Sequence, residues 1–375
     1  MMWFFRSPKI VYGEDSLSFL STLDTKKTLI VTDQFLSKTS ILSKVMDVLG
    51  RGVEVRIFDK IGTEPKLSDV VKGTELLAKF DPDCVIGVGG GSSMDAAKIL
   101  FAMNEIPGLS PFDITPINDL KLHKKSRLVE VPTTSGTGSE CSWAAVFTDD
   151  VEKRKNEIAS PEILADYAIL DPSLVIDLPR EQTINTATDA VTHAIEAYGS
   201  QWRNVFSDAM AEKALELIIP NLPIVLKNPG NIDARNNVHI GASMAGISFS
   251  NSQIGLAHAL GHAVGAEFKI AHGKAVGLYL PRVISFNYDA VKSRYDKLNS
   301  LFPDEYRSEN LSETIFRFLG SIGEARNIRE AGIDPSAYMA SIEEIVSLAS
   351  ESTGMLTNAK DSTSEDLRNI ARSVV

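Results

Sequence analysis

Cysteine is scarce: Cys84 and Cys141 are the two in 375 residues. They share no paired spacing, which excludes a disulfide framework and a thiolate metal site and predicts two buried, reduced thiols. Clusters of positive charge are missing too. Asp and Glu number 49 against 38 Lys and Arg, for a net charge of −11. Neutralising nucleic-acid phosphates takes clustered cations, so a nucleic-acid partner is excluded. The opening "MMWFFRSPKI" has no basic segment ahead of its apolar residues and no cleavage-like site. It reads as neither signal peptide nor spanning helix, and the expectation is a cytoplasmic protein with no membrane partner.

What is present fits a globular chain: 43% hydrophobic and 23% charged residues, at a length that allows two or three domains. Short β-rich runs, "TLIVTD" (28–33), "VEVRIFD" (53–59), "CVIGVG" (84–89), "RLVEVP" (127–132) and "YAILDP" (167–172), alternate with helical stretches. "SKTSILSKVMDVLG" (37–50) and "KLSDVVKGTELLAKF" (66–80) carry apolar residues three and four apart, as helices covering a sheet do. That alternation predicts a parallel sheet. Beyond about residue 180 the strand signals fade into successive helices such as "ATDAVTHAIEAYGS", "SDAMAEKALELIIPNL" and "SIEEIVSLASES". The predicted division is an α/β domain over residues 1–179 and an all-α domain over 180–375. No repeat or low-complexity linker intervenes, which predicts closely packed halves with any cleft between them.

Two strand-end segments carry chemistry. In "CVIGVGGGSSMDAAKIL" (84–100) a buried strand runs through three glycines into a helix opening at Ser92 and Ser93. Glycines let a phosphate approach the backbone, and a helix N-terminus offers free amides and a positive dipole end. Ser92 stands where the usual dinucleotide fingerprint has its third glycine. A phosphate cradle and a serine-capped glycine turn both fit. "VPTTSGTGSE" (131–140) places five hydroxyls after another strand, a pattern shared by ligand loops and solvated turns. Open α/β sheets bind ligands beyond the carboxyl ends of their strands, which favours the former. Asp33 ends an early strand, where a carboxylate either accepts bonds from an adenosine ribose and repels a 2′-phosphate or caps the next turn.

Histidine is the other rarity. Three of the six, His258, His262 and His272, fall within fifteen positions. Asp189 and His193 stand four apart on a predicted helix, on one face, and His258 and His262 repeat that spacing. Imidazole with carboxylate suits Fe²⁺, Zn²⁺ or a similar ion, although a single histidine on an apolar helix is more often a satisfied core residue. His123 and His239 lack such company and read as structural or surface residues.

The chain resembles the iron-containing (group III) alcohol dehydrogenases over nearly its whole length. The motifs "GGGSSMDAAK" (89–98), "PTTSGTGSE" (132–140), "DAVTHAIEAY" (189–198) and "HALGHAVGAEFKIAHG" (258–273) occur in the family's order. The resemblance implies that Asp189, His193, His258 and His272 bind one divalent metal, Fe²⁺ with Zn²⁺ or another ion as alternatives. His262 then stands beside the metal as the catalytic proton handler. It further implies NAD rather than NADP, with Asp33 at the ribose and Gly89, Gly90, Gly91 and Ser92 under the pyrophosphate. Thr133, Thr134 and Thr137 line the cofactor, Lys155 reaches it, and Asp95 and Lys98 are orienting residues.

The implied function is metal-dependent, NAD(H)-linked transfer of hydride between nicotinamide and a small primary alcohol, diol or aldehyde, in a homodimer or higher homo-oligomer. Three departures stand out: Glu64 before Pro65 where Asn-Pro is common, Ala359 where proline is frequent, and the bulky Trp143 after the hydroxyl-rich loop. Alternatives are a glycerol dehydrogenase, a dehydroquinate-synthase-like lyase or a non-catalytic nucleotide-binding protein. The full Asp and His set, and only Lys269 and Lys274 as basic neighbours of the histidines, count against them.

Overall fold

The structure is a computed structural model that describes residues 4–62, 65–150 and 154–375; Glu64 lies outside the described residues. The first part is built on a six-stranded sheet in the order β1-β8-β5-β4-β2-β3, every described pairing parallel. Its strands are β1 (Lys9–Tyr12), β2 (Lys27–Asp33), β3 (Glu54–Ile61), β4 (Cys84–Gly89), β5 (Arg127–Pro132) and β8 (Tyr167–Leu170). The five expected strands are all present. β1 was not foreseen, because four residues at a sheet edge are too short to show a period.

The apolar runs become central strands for a plain reason: both of their faces are covered. Leu29, Val31, Val85 and Leu128 pack into one core with helix α3 (Gly91–Glu105). Ile30, Ile86, Val88 and Val129 alternate with them and pack on the opposite face with Leu42 and Val45 of α1 (Ser40–Val48). Helix α2 (Leu67–Phe80) joins the first of these cores through Val70 and Leu77. Cys84 and Cys141 are free and buried, and burial pushes the Cys84 thiol up to about 12.

From β2 the chain passes through α1 to β3 on one side, then returns through α2 to β4 on the other side of β2. The strand order therefore reverses between β2 and β4, the kind of place where open α/β sheets hold ligands. Asp33 and Gly89 end those two strands, and Gly89 is in register with Pro132 of β5. A second, antiparallel ribbon pairs β6 (Ala144–Asp149) with β7 (Arg154–Ala159). It too was absent from the sequence reading, since Arg-Lys-Asn-Glu has little β preference.

The helices form their own compact unit, Asp177–Val375, together with the short segment Ser135–Thr137. Its principal members are α4 (Arg180–Gly199), α5 (Val205–Lys227), α6 (Ile232–Ser250), α7 (Leu256–Phe268) and α8 (His272–Ser300). One continuous apolar core runs through them. Helix α4 is buried on nearly every side from Ala187 to Gly199, which makes any polar residue on it conspicuous.

Candidate metal centre

Asp189, His193 and Glu196 lie at positions i, i+4 and i+7 of α4 and share one face. His258 sits in the first turn of α7, and His272 is the first residue of α8. Close backbone approach brings these ends together. A Cβ on Gly273 would lie 1.7 Å from the Asn185 carbonyl oxygen of α4, so only glycine fits after His272. A Cβ on Gly261 would similarly meet the Val276 backbone at 2.9 Å.

The result is one carboxylate oxygen facing three imidazole nitrogens. Asp189 Oδ1 lies 3.3 Å from His272 Nε2, 3.4 Å from His258 Nε2 and 3.7 Å from His193 Nδ1. Asp189 Oδ1, His193 Nδ1 and His258 Nε2 are buried, and none takes part in a hydrogen bond. Orphaned buried polar atoms are costly and rare, and several converging on one point need a common partner. Donors held about 2.1 Å from one ion in a tetrahedron stand about 3.4 Å apart, close to the spacing seen. Asp189, His258 and His272 satisfy that geometry as a group, their donor atoms all within 4.8 Å of one another. His193 flanks the group, its ring stacked between His258 and Phe249 at 4.3 Å from each. The donor set of oxygen and imidazole nitrogen fits Fe²⁺ or Zn²⁺.

The electrostatics set one carboxylate among the imidazoles. Burial pushes Asp189 up, but the surrounding imidazoles outweigh it and hold the carboxyl well below its usual range. Burial drives His193 down to about 3, which keeps it neutral. His258 also suffers burial, yet Glu196 and Asp189 on either side push it up to about 9. His262 stands beside the group, its ring centre 5.0 Å from that of His272 and 5.9 Å from that of His258.

The proposed cofactor residues gather in part. Thr133 donates its amide to the Gly89 carbonyl at 2.9 Å, so the glycine turn and the hydroxyl-rich loop adjoin. Gly89 has φ +151°, and a side chain there would strike Ser93 at 2.6 Å. An added Cβ at Gly90 would meet only Thr134, at 3.6 Å, which leaves room above the first turn of α3, where Gly91 and Ser92 lie. Thr134 Oγ1 is buried there without a hydrogen bond. Asp33 Oδ1 accepts the amides of Phe35 and Leu36 at 2.8 and 2.9 Å, so the turn-capping reading is realised through one oxygen. Thr137 belongs with the helical unit, and Lys155 sits on the β6–β7 ribbon.

Asp95 and Lys98 orient the loop that follows. Ser139 donates to Asp95 at 2.6 Å, Val146 gives Asp95 its amide, and Lys98 donates to Ser139, Ser142 and the Ala144 carbonyl.

Comparison with known proteins gives the family. The model of the iron-containing alcohol dehydrogenases matches residues 7–172, and that of the C-terminal part of the same family matches 183–375. The chain is an iron-containing alcohol dehydrogenase family member. It is 36% identical over 301 residues to an NADPH-dependent butanol dehydrogenase of Clostridium saccharobutylicum, covering 80% of this chain and 77% of that one. It is 32% identical to aldehyde-alcohol dehydrogenase 2 of Entamoeba histolytica over 99% of this chain. It spans only 46% of that protein, and 43% of the 34%-identical bifunctional aldehyde-alcohol dehydrogenase of Escherichia coli K12. Among solved structures, a 1,3-propanediol oxidoreductase superposes with a TM-score of 0.92 at 27% identity, each chain covered completely.

Within this family member, His239 and His123 take the structural role that the sequence reading allowed them, and one residue, Glu196, escaped it. His239 is buried, with Nδ1 2.9 Å from Ser135 Oγ, which makes it structural rather than a surface residue. His123 is likewise structural, bonded to Asp166 and the Glu162 carbonyl. Glu196 was passed over although it stands three residues from His193 and seven from Asp189, and that spacing was the available signal.

Proposed function

We propose that this protein is a metal-dependent, NAD(H)-linked alcohol dehydrogenase or aldehyde reductase acting on a small primary alcohol, diol or aldehyde. The observation that carries the reading is the convergence of orphaned buried donors on Asp189 Oδ1. Asp189, His258 and His272 would hold the ion, with His193 as fourth ligand, while Asp33, Gly89, Gly90, Gly91, Ser92, Thr133, Thr134, Thr137 and Lys155 would hold NAD. When bound, a divalent ion supplies Lewis acidity toward the substrate oxygen and nicotinamide supplies or accepts hydride.

The residues do the rest. The buried walls of α4 and α7 shield Asp189, His193 and His258, while the His272 side chain, 40% exposed, lies on the open side. His262, next to His258 and His272, is placed to move a proton to or from the substrate hydroxyl through a ring nitrogen. The basic side chains nearest in sequence do not supply an anion pocket: Lys269 is exposed, and Lys274 pairs with Glu181 at 3.3 Å. Asp33 favours NAD by repelling a 2′-phosphate.

Among the described residues no helix is long and apolar enough to cross a membrane. The reading includes a cytoplasmic homodimer or larger homo-oligomer, which light scattering would check. The deciding experiment follows NADH absorbance against a panel of small aldehydes in native, chelator-stripped and Fe²⁺- or Zn²⁺-restored protein. Loss on stripping and return on restoration support the reading; full turnover in metal-free protein refutes it.

A further inference from the structure

We infer that Glu196 is a positioning residue for His258, accepting its Nδ1–H so that the bare Nε2 faces the metal centre. The inference rests on the metal-centre reading above. Glu196 is buried on α4, and its carboxylate takes three donors from one short stretch. Oε2 accepts the Gly255 amide at 3.0 Å and faces His258 Nδ1 at 2.5 Å, and Oε1 accepts the Ala257 amide at 2.6 Å. Gly255 precedes α7 and has no side chain to cap it. Glu196 supplies that cap from another helix, satisfying amides that α7 leaves open at its start.

The same capping fixes the tautomer. A carboxylate only accepts, so the nitrogen against it carries the hydrogen, and the lone pair left for a bound cation is that of Nε2. Nε2 is the buried atom without a hydrogen bond, 3.4 Å from Asp189 Oδ1. Gly255 is what lets the carboxylate come so near: a Cβ there would sit 2.9 Å from Glu196 Oε1 and 3.0 Å from Asn358 Oδ1. A hydrogen bond to the far nitrogen of a ligating histidine orients its ring and raises its basicity.

Glu196→Gln tests this with little change of shape. One amide oxygen cannot serve three donors on two sides. With oxygen toward Ala257, the NH₂ faces His258 Nδ1 and drives the ring to the tautomer whose Nε2 bears hydrogen. With oxygen toward His258, the NH₂ opposes the Ala257 amide. Zn²⁺ affinity, measured by competition with a chromophoric chelator, should fall by roughly 10- to 100-fold.

Nitrogen NMR of ring-labelled histidines in the zinc-loaded native protein provides the second measurement, independent of the variant's folding. It should show His258 protonated at Nδ1 and ligating through Nε2. Unchanged zinc affinity in Glu196→Gln, or ligation through Nδ1, overturns the inference and leaves the metal centre standing. A native protein that binds no stoichiometric zinc overturns both. A purely structural glutamate would lower the melting temperature of the metal-free variant without weakening its zinc affinity.

Discussion

Glu130 gives the sharpest test of the α/β unit. It lies in the middle of β5, paired with Gly87 of β4 on one side and Ala168 of β8 on the other. It is 0% exposed, and neither carboxyl oxygen has a hydrogen-bond partner. A Cβ on Gly87 would sit 2.4 Å from Oε2, so the carboxyl occupies the space that glycine vacates beneath α3. Burial pushes it well above the ordinary 4.5; the charge of Lys98 opposes this, and Asp95 and Glu140 add to it. Lys98 spends its hydrogen bonds on Ser139, Ser142 and Ala144, not on Glu130.

Glu130 is therefore a neutral acid in the folded protein at pH values where the unfolded chain carries it ionised. The folded state then binds more protons than the unfolded one, so stability falls as pH rises above the unfolded value. One group contributes at most about 1.4 kcal/mol per pH unit, and the loss stops once pH passes the folded pKa. Glu130→Gln removes the titration while keeping size and polarity. Urea unfolding at intervals between pH 5 and 9 should show the variant gaining on the native protein by about that slope, or roughly 2 °C of melting temperature per unit for a chain of this length. Groups common to both proteins cancel in the difference. A stability difference independent of pH, or one favouring the native protein as pH rises, would show that Glu130 is ionised and paired and would refute the argument.

Asp33→Ser should raise kcat/KM with NADPH relative to NADH, because a carboxylate that repels a 2′-phosphate is gone; an unchanged ratio removes Asp33 from the cofactor site. His262→Ala should retain metal by elemental analysis while kcat drops by roughly 10² to 10⁴, whereas His258→Ala should lose metal and activity together. Gly273→Ala drives a Cβ to 1.7 Å from the Asn185 carbonyl; displacing the start of α8 should cost about 1–3 kcal/mol or more and release the metal, as melting curves and metal content would show.

What the sequence disclosed and what it withheld divide along physical lines. Val85, Ile86 and Val88 announced a central strand because two-sided burial leaves an unbroken apolar run, and α1 and α2 showed their period because one face of each meets the sheet. Strand β7 hid because its Arg-Lys-Asn-Glu composition resembles a helix surface and its pairing with β6 is a long-range choice. Ser135–Thr137 belongs with the helical unit, and Ser135 bonds His239, 104 residues away, a long-range arrangement that no local pattern encodes.

The candidate ligands stood out in the sequence because few residue types can do such chemistry, so identity alone narrows the choice. Glu196 did not, because a carboxylate on a helix ordinarily means a solvated face. What changes that meaning is its company. Between Ala187 and Gly199 the neighbours are Ala, Val, Ile, Thr, Tyr and Gly, and α4 has no wet face along that stretch. Burying Asp189, His193 and Glu196 in such a helix is unfavourable for each group alone and tolerable only if each meets a partner of opposite demand. Glu196 meets three N–H donors. Asp189 Oδ1 and His193 Nδ1 meet none, so of the three polar residues on that stripe the start of α7 satisfies one and leaves two for which a cation would be the fitting partner.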